Sequence, residues 1–230
     1  QQLSALTDQL LQQLWQHAQL GDAYTLVAVG GYGRAQLCPH SDVDVLVLLP
    51  EDVTEAQREA IGQFISSCWD AGLELGSSVR TVAECLQEAR ADITVQTALL
   101  EARRILGNTA LFTKLRHAYS THLDVAAFLT AKTLEMNQRH TRYENTPYAL
   151  EPNCKESPGG LRDLHTVLWV ARAAGLGNSW RELAHNGLAT AFELRQIERN
   201  EALLLLIRTR LHALAGRRED RLVFDLQTAV

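Results

Sequence analysis

The chain has 230 residues, 46% apolar and 21% charged, with a formal net charge of −5. That is enough for one large or two small domains with real cores. The negative balance argues against a nucleic-acid surface, and the absence of a signal peptide or an apolar run of spanning length argues against a membrane. Four scattered cysteines without a C-x-x-C, and eight histidines without H-E-x-x-H, point to reduced thiols in a cytoplasmic protein and to no zinc site.

Residues 1–20 begin directly in helical pattern, with Leu3, Leu6, Leu10, Leu11, Leu14, Trp15 and Ala18 on one stripe. Together with the apolar end at Val230, this reads as a piece cut from a longer chain. Gly21 and Asp22 break the helix, and residues 25–29 are short and β-branched enough for a strand. Gly30, Gly31 and Gly33 follow as a tight turn open to close approach by a ligand. Residues 43–49 are apolar on both faces, as a central buried strand should be.

A capping box at Thr54 and Gln57 opens a helix to residue 71, expected to bury Ala60, Ile61, Phe64, Ile65, Cys68 and Trp69. Residues 73–79 read as a third strand. Thr81 and Glu84 form a second capping box, for a helix to about residue 90. Asp92 and Asn108 can cap helices running to residues 104 and 119. Residues 124–144 make a long helix, 145–160 a loop rich in Pro, Asn and Gly, and 161–174 another helix. A short helix from Ser179 and a long one over 190–215 complete the chain, with the apolar run 203–207 expected in the core. The composition predicts an α/β part over 1–107 followed by an all-α part over 108–230.

Asp42 and Asp44 stand at the start of the second strand, and a spacing of two puts both carboxylates on one face. Two adjacent anions need compensation, and a divalent cation such as Mg²⁺, which also bridges substrate phosphates, supplies it. Either feature alone has a plain reading, the glycines as a turn and the D-x-D as a solvated strand end. The combination of strand, glycine turn, D-x-D and apolar strand is far more specific. Backbone amides at Gly30, Gly31 and Gly33 would meet phosphates, with Arg34 beside them. A second site is expected at Gly159 and Gly160, which lead into a helix whose amides favour an anion, with the cations of Lys155 and Arg162 on either side.

These residues carry a resemblance. GGYGR…PHSDVDVLVL resembles the signature of the DNA polymerase β-like nucleotidyltransferase superfamily, and within it the bacterial PII uridylyltransferase/uridylyl-removing family. The block EPNCKESPGGLRDLH at 151–165 is similar to that family's P-N-x-K-E-G-P-G-G-L-R-D-x-H, with Ser157 in place of a glycine, and GRREDRL at 216–222 matches a third block. The resemblance implies a nucleotidyltransferase-fold domain, a mixed sheet with flanking helices, followed by a helical domain. It implies transfer of UMP from UTP to a tyrosine of the signalling protein PII, with Mg²⁺ or Mn²⁺ on Asp42 and Asp44 and Ser41 beside the nucleotide. Many superfamily members place a third carboxylate on a neighbouring strand, which makes Glu74 a candidate third metal ligand; the other reading is an exposed strand glutamate. The family reads G-H-S-V-R where this chain has Gly76-Ser77-Ser78-Val79-Arg80, so Ser77 receives no role. The family's HD hydrolase and glutamine-sensing ACT domains lie outside this region, and no uridylyl-removing activity is expected of it. Two other readings remain: adenylyl transfer to glutamine synthetase, and a catalytically silent nucleotide-binding or docking module.

Overall fold

In a computed structural model describing residues 2–230, the chain divides into two units. The first runs to Leu37 and resumes over Ser41–Leu123; the second comprises Cys38–His40 and Asp124–Val230.

In the first unit, α1 (Gln2–His17) buries Leu11 and Trp15, while Leu3 and Leu6 stay in solvent. The buried stripe is thus narrower than the sequence pattern. All of β1 (Thr25–Ala28) is buried. The glycines after it wind into a single helical turn, α2 (Gly30–Gly33), with Gly30 at φ +55°. β2 (Val43–Leu49) follows, buried at every position but Asp44. α3 (Glu55–Asp70) starts at the expected capping box, a device worth about 1 kcal/mol. It buries Ile61, Phe64 and Cys68, and Phe64 meets Trp15 edge-on. Trp69 does not join them and is 59% exposed, since it lies about 100° around the helix from Cys68.

β3 (Leu75–Thr81) leads into α4 (Val82–Ala91), whose second expected capping box is also present. α5 (Ile93–Leu100) is shorter than expected: Arg103 and Arg104, assigned to a helix by their pattern, belong to β4 (Arg103–Gly107). β4 pairs antiparallel with β1, Thr25 opposite Gly107 and Leu26 opposite Leu106. A five-residue strand owes its existence to that partner edge, which local sequence does not contain. α6 (Thr109–His122), capped by Asn108, closes the unit.

The sheet order is β3-β2-β1-β4, with β2 and β3 parallel and the other pairs antiparallel. Alternation along β2 sends Val43, Val45, Val47 and Leu49 into a core with α1 and α3. Leu46 and Leu48 go to the opposite core, with Val82, Cys85, Leu99, Leu115 and Tyr119 from α4, α5 and α6. Each fully buried side chain of this kind stabilises by about 1.5–3 kcal/mol. Because Leu115 and Tyr119 pack there, the chain divides after Leu123, beyond the 107/108 boundary expected from composition.

The second unit is helical. α7 (Val125–Arg142), α8 (Leu161–Ala173), α9 (Trp180–His185), α10 (Ala191–Ala215) and α11 (Phe224–Gln227) are its elements. Ala171, Trp180 and Leu183 form a small core with Leu164, Leu168, Leu194 and Ile197. The run 203–207 is not core as expected: Leu203 and Leu206 are 54% and 47% exposed. A run longer than one turn points all round the helix, and α10 buries Arg208, Leu211 and His212 instead. No helix among the described residues is long and apolar enough to cross a membrane.

Candidate functional site

Asp44 is half-buried on β2, and Asp42 is exposed just before the strand, after half-buried Ser41. Parallel pairing sets Asp44 beside Gly76 of β3. A Cβ on Gly76 would lie 2.4 Å from Asp44 Oδ1, and a Cβ on Gly30 would lie 3.4 Å from Oδ2. The carboxylate therefore occupies a cradle between two bare α-carbons. Gly76 was given no role by the sequence pattern; only the register makes it a neighbour of Asp44. The Val29 N–H donates to the Asp44 carbonyl at 3.0 Å, which fixes the entry to α2 against the same residue.

The glycines of α2 do different jobs. Gly30 supplies the left-handed backbone at the turn. Gly33 is buried, and a Cβ there would lie 2.3 Å from the Glu101 carbonyl. It serves packing, which corrects its expected place among phosphate-facing glycines. A Cβ on Gly31 would lie 3.6 Å from Arg34 Nη2, so that guanidinium runs alongside the turn. It is braced there: Nη1 donates to the buried carboxylate of Glu101 at 2.5 Å and Nε to Gln36 Oε1 at 3.0 Å. From the other side, the Tyr32 hydroxyl donates to Asp8 Oδ1, and Arg103 donates to both Asp8 oxygens at 2.8 and 3.0 Å. Burial, then the Asp8 bond, holds the Tyr32 phenol well above its ordinary range. The turn is thus pinned to α1 and β4 through one fully buried tyrosine.

Glu74 is exposed, one residue ahead of β3, and its carbonyl accepts from Val43 N–H at 2.8 Å. Among the described residues no three His, Cys, Asp or Glu side chains converge as a metal site, so Glu74 is not drawn in with Asp42 and Asp44 as expected. The paired carboxylates still fit a hard cation such as Mg²⁺, which needs one or two of them and fills its remaining positions with water and phosphate oxygens.

In the second unit, the loop before α8 corrects another expectation. The Gly159 N–H donates to Asp163 Oδ2 at 2.7 Å, Gly160 N–H to Ser157 O at 2.8 Å, and Leu161 and Arg162 N–H to Cys154 and Lys155 carbonyls at 3.0 and 2.8 Å. These amides are used within the loop and do not stand open to an anion. Gly159 is needed for its φ of +79°. Gly160 is needed because a Cβ would lie 2.9 Å from two carbonyls. The side chains tell a different story. Arg162 donates to Glu156 at 3.0 Å, Lys155 approaches the same carboxylate at 3.8 Å, and so does Arg139 Nε. Arg139 also donates to Asp163 Oδ1 at 2.5 Å, where His140 Nε2 joins at 2.9 Å. Burial, then the nearby Arg162 and Arg208 charges, pushes the Lys155 ammonium down. Burial opposes ionisation of Glu156, but Arg162, Lys155 and Arg139 outweigh it and hold its pKa low. Arg139, Lys155 and Arg162 thus share the two carboxylates of Glu156 and Asp163.

The segment 216–222 had no assigned role. It runs along the start of that loop: Asn153 bridges Arg221, Leu222 N–H donates to Pro152 O at 2.9 Å, and Cys154 N–H donates to Asp220 O at 2.8 Å. The Asp220 side chain accepts from Arg208 Nε at 2.5 Å and faces His212 Nε2 at 3.2 Å. Burial alone would raise the Asp220 pKa; the His212 bond and the Arg208 charge prevail and hold it well below the usual carboxylate range.

Comparison with known proteins gives two family matches. Residues 9–95 match a model described as a nucleotidyltransferase domain, and residues 127–230 one described as GlnD PII-uridylyltransferase. The bifunctional uridylyltransferase/uridylyl-removing enzymes of Burkholderia orbicola and Burkholderia mallei are each 60% identical over 226 residues, 98% of this chain. That of Burkholderia vietnamiensis is 60% identical over 227 residues. The chain spans 26% of the length of each of these relatives.

Proposed function

We propose that this chain, which belongs to the family of the bifunctional uridylyltransferase/uridylyl-removing enzymes and carries their nucleotidyltransferase region, transfers UMP from UTP to a tyrosine of the nitrogen-regulatory protein PII. The observation that carries the reading is the placement of Asp44, cradled by Gly30 and Gly76 at the mouth of β2 with Asp42 before it. The 60% identity over nearly the whole chain supports the choice of uridylyl transfer over adenylyl transfer.

The tyrosyl oxygen attacks the α-phosphorus of UTP. A new P–O bond forms, the bond to the β-phosphate breaks, pyrophosphate leaves, and the phenolic proton passes to solvent. Asp42 and Asp44 would hold a divalent cation, Mg²⁺ or Mn²⁺, which when bound would supply positive charge to the phosphates and the leaving pyrophosphate. Gly30 and Gly31 bring the first-turn amides of α2 close to the β- and γ-phosphates, helped by Arg34, with Ser41 beside them. Lys155 and Arg162 offer cations to substrate phosphate, their loop shaped by Gly159 and Gly160. The chemistry is positioning and electrostatics, set in a cytoplasmic protein whose four cysteines are buried thiols.

The test is incubation of the chain with PII, labelled UTP and Mg²⁺, followed by mass analysis of PII, with parallel arms containing ATP and glutamine synthetase. A uridylylated tyrosine on PII is expected. Label on glutamine synthetase from ATP, or no pyrophosphate release in any arm, overturns the assignment.

A further inference from the structure

Three residues, Cys38–His40, leave the first unit to join the second, and then the chain returns as Ser41, Asp42, Val43 and Asp44. What holds them is one face of α10. Arg208 Nη1 reaches Cys38 Sγ at 3.6 Å, and His212 Nδ1 bonds the Pro39 carbonyl. The His40 ring lies 6.5 Å from that of His212. Arg208 and His212 are both buried, His212 completely, and both also bind the Asp220 carboxylate. His212 faces an oxygen at each nitrogen, the Pro39 carbonyl at Nδ1 and the Asp220 carboxylate at Nε2. The Asp220 carbonyl meanwhile accepts from Cys154 N–H. One residue of 216–222 thus ties together the lead-in to the D-x-D and the start of the 153–163 loop.

We infer that Asp220, acting through Arg208 and His212, is a positioning residue for the transfer reaction: it sets the Cys38–His40 segment that delivers Asp42 and Asp44, and in the same arrangement the loop carrying Lys155 and Arg162. The side chains of all three are largely buried, with 11% of Arg208, 9% of Asp220 and 0% of His212 exposed. Their effect is on where the chain enters β2, and displacement of a catalytic group by about 1 Å can cost a factor of about 100 in rate. This account explains why the three sequence blocks occur in one protein. It rests on the transferase reading for its kinetic consequence, although the linkage itself can be read without activity.

The experiment compares the wild-type chain with Asp220→Asn and His212→Gln. Asp220→Asn keeps the shape and removes the charge; His212→Gln puts both donors on one nitrogen, which cannot reach the Pro39 carbonyl and the Asp220 carboxylate as the ring's two nitrogens do. Amide hydrogen exchange is read at residues 38–44 and 153–163, with β1 as internal reference, and kcat and KM for UTP are read with PII as acceptor. Faster exchange in both segments together, β1 unchanged, with kcat lowered about 10-fold or more and KM for UTP raised as the loop carrying Lys155 and Arg162 shifts, is the expected result. If Asp220→Asn does not fold, His212→Gln decides, with the same pattern. Exchange that changes only in 216–222, or kcat unchanged in a folded variant, overturns the inference. A wild-type chain that labels nothing defeats the transferase reading, and the exchange pattern then decides the linkage alone.

Discussion

The carboxylate of Asp44 lies against the bare α-carbon of Gly76: a Cβ there would stand 2.4 Å from Oδ1. The group in the way is the end of a side chain, so the backbone need not move to admit a methyl; the carboxylate must. Gly76→Ala should therefore leave the melting temperature unchanged or slightly raised, since alanine in a strand is favoured over glycine by roughly 0.5–1 kcal/mol. Transfer should fall by about 100-fold. Thermal denaturation and steady-state rates on one preparation check both halves, and normal turnover would remove Asp44 from the reaction.

Asp42→Asn and Asp44→Asn should each retain the fold and lose at least about 100-fold in kcat, because charge stabilisation worth several kcal/mol is removed. Omission of divalent cation should abolish wild-type transfer, and Mg²⁺ or Mn²⁺ should restore it. Near-normal rates in either variant would end the metal assignment.

Lys155 offers a case in which stability and activity should part. Burial, Arg162 and Arg208 place its folded pKa below the unfolded value. The unfolded state then holds its proton more tightly, so this residue's contribution improves as pH rises from the folded value towards about 10.4. Lys155→Met should be at least as stable as wild type at pH 7, with wild type gaining on it between pH 7 and 10 in urea unfolding. The same variant should raise the KM for UTP. A rise in the KM for PII alone would place the loop on the protein partner, and no change in either would make it purely structural.

Asp220 has the opposite sign. Its folded pKa is depressed, so its stabilisation is fully present above the unfolded value of about 3.9 and is lost as pH falls through the folded value. Asp220→Asn should cost about 3 kcal/mol at pH 7, because Arg208 loses a buried counter-charge. The gap to wild type should narrow below about pH 4. A difference independent of pH would mean that the pair contributes shape and not charge.

Much of this was legible in the chain itself. The caps at Thr54, Thr81, Asp92 and Asn108 lie at helix starts, because a capping side chain reaches only two or three residues. β1 and β2 were visible for a similar reason: their β-branched and apolar runs are buried whatever lies opposite. The pairing of a glycine turn with D-x-D was equally plain, since both are short-range patterns. What sequence could not reach depends on partners distant in the chain. β4 exists because β1 offers an edge, and Gly76 matters because of which residue it faces in β2. Gly33 is a packing residue because Glu101 stands over it. The amides at Gly159 and Gly160 were judged open from a local pattern, but Asp163 and the loop's own carbonyls take them. Asp220 sits in an arginine-rich stretch to which the sequence assigns no role, and folding buries it against Arg208 and His212. Local chemistry follows from neighbours within a few residues. Whether a charge, an amide or a bare α-carbon is used depends on what packing sets within about 3 Å of it, and that is decided only when remote segments meet.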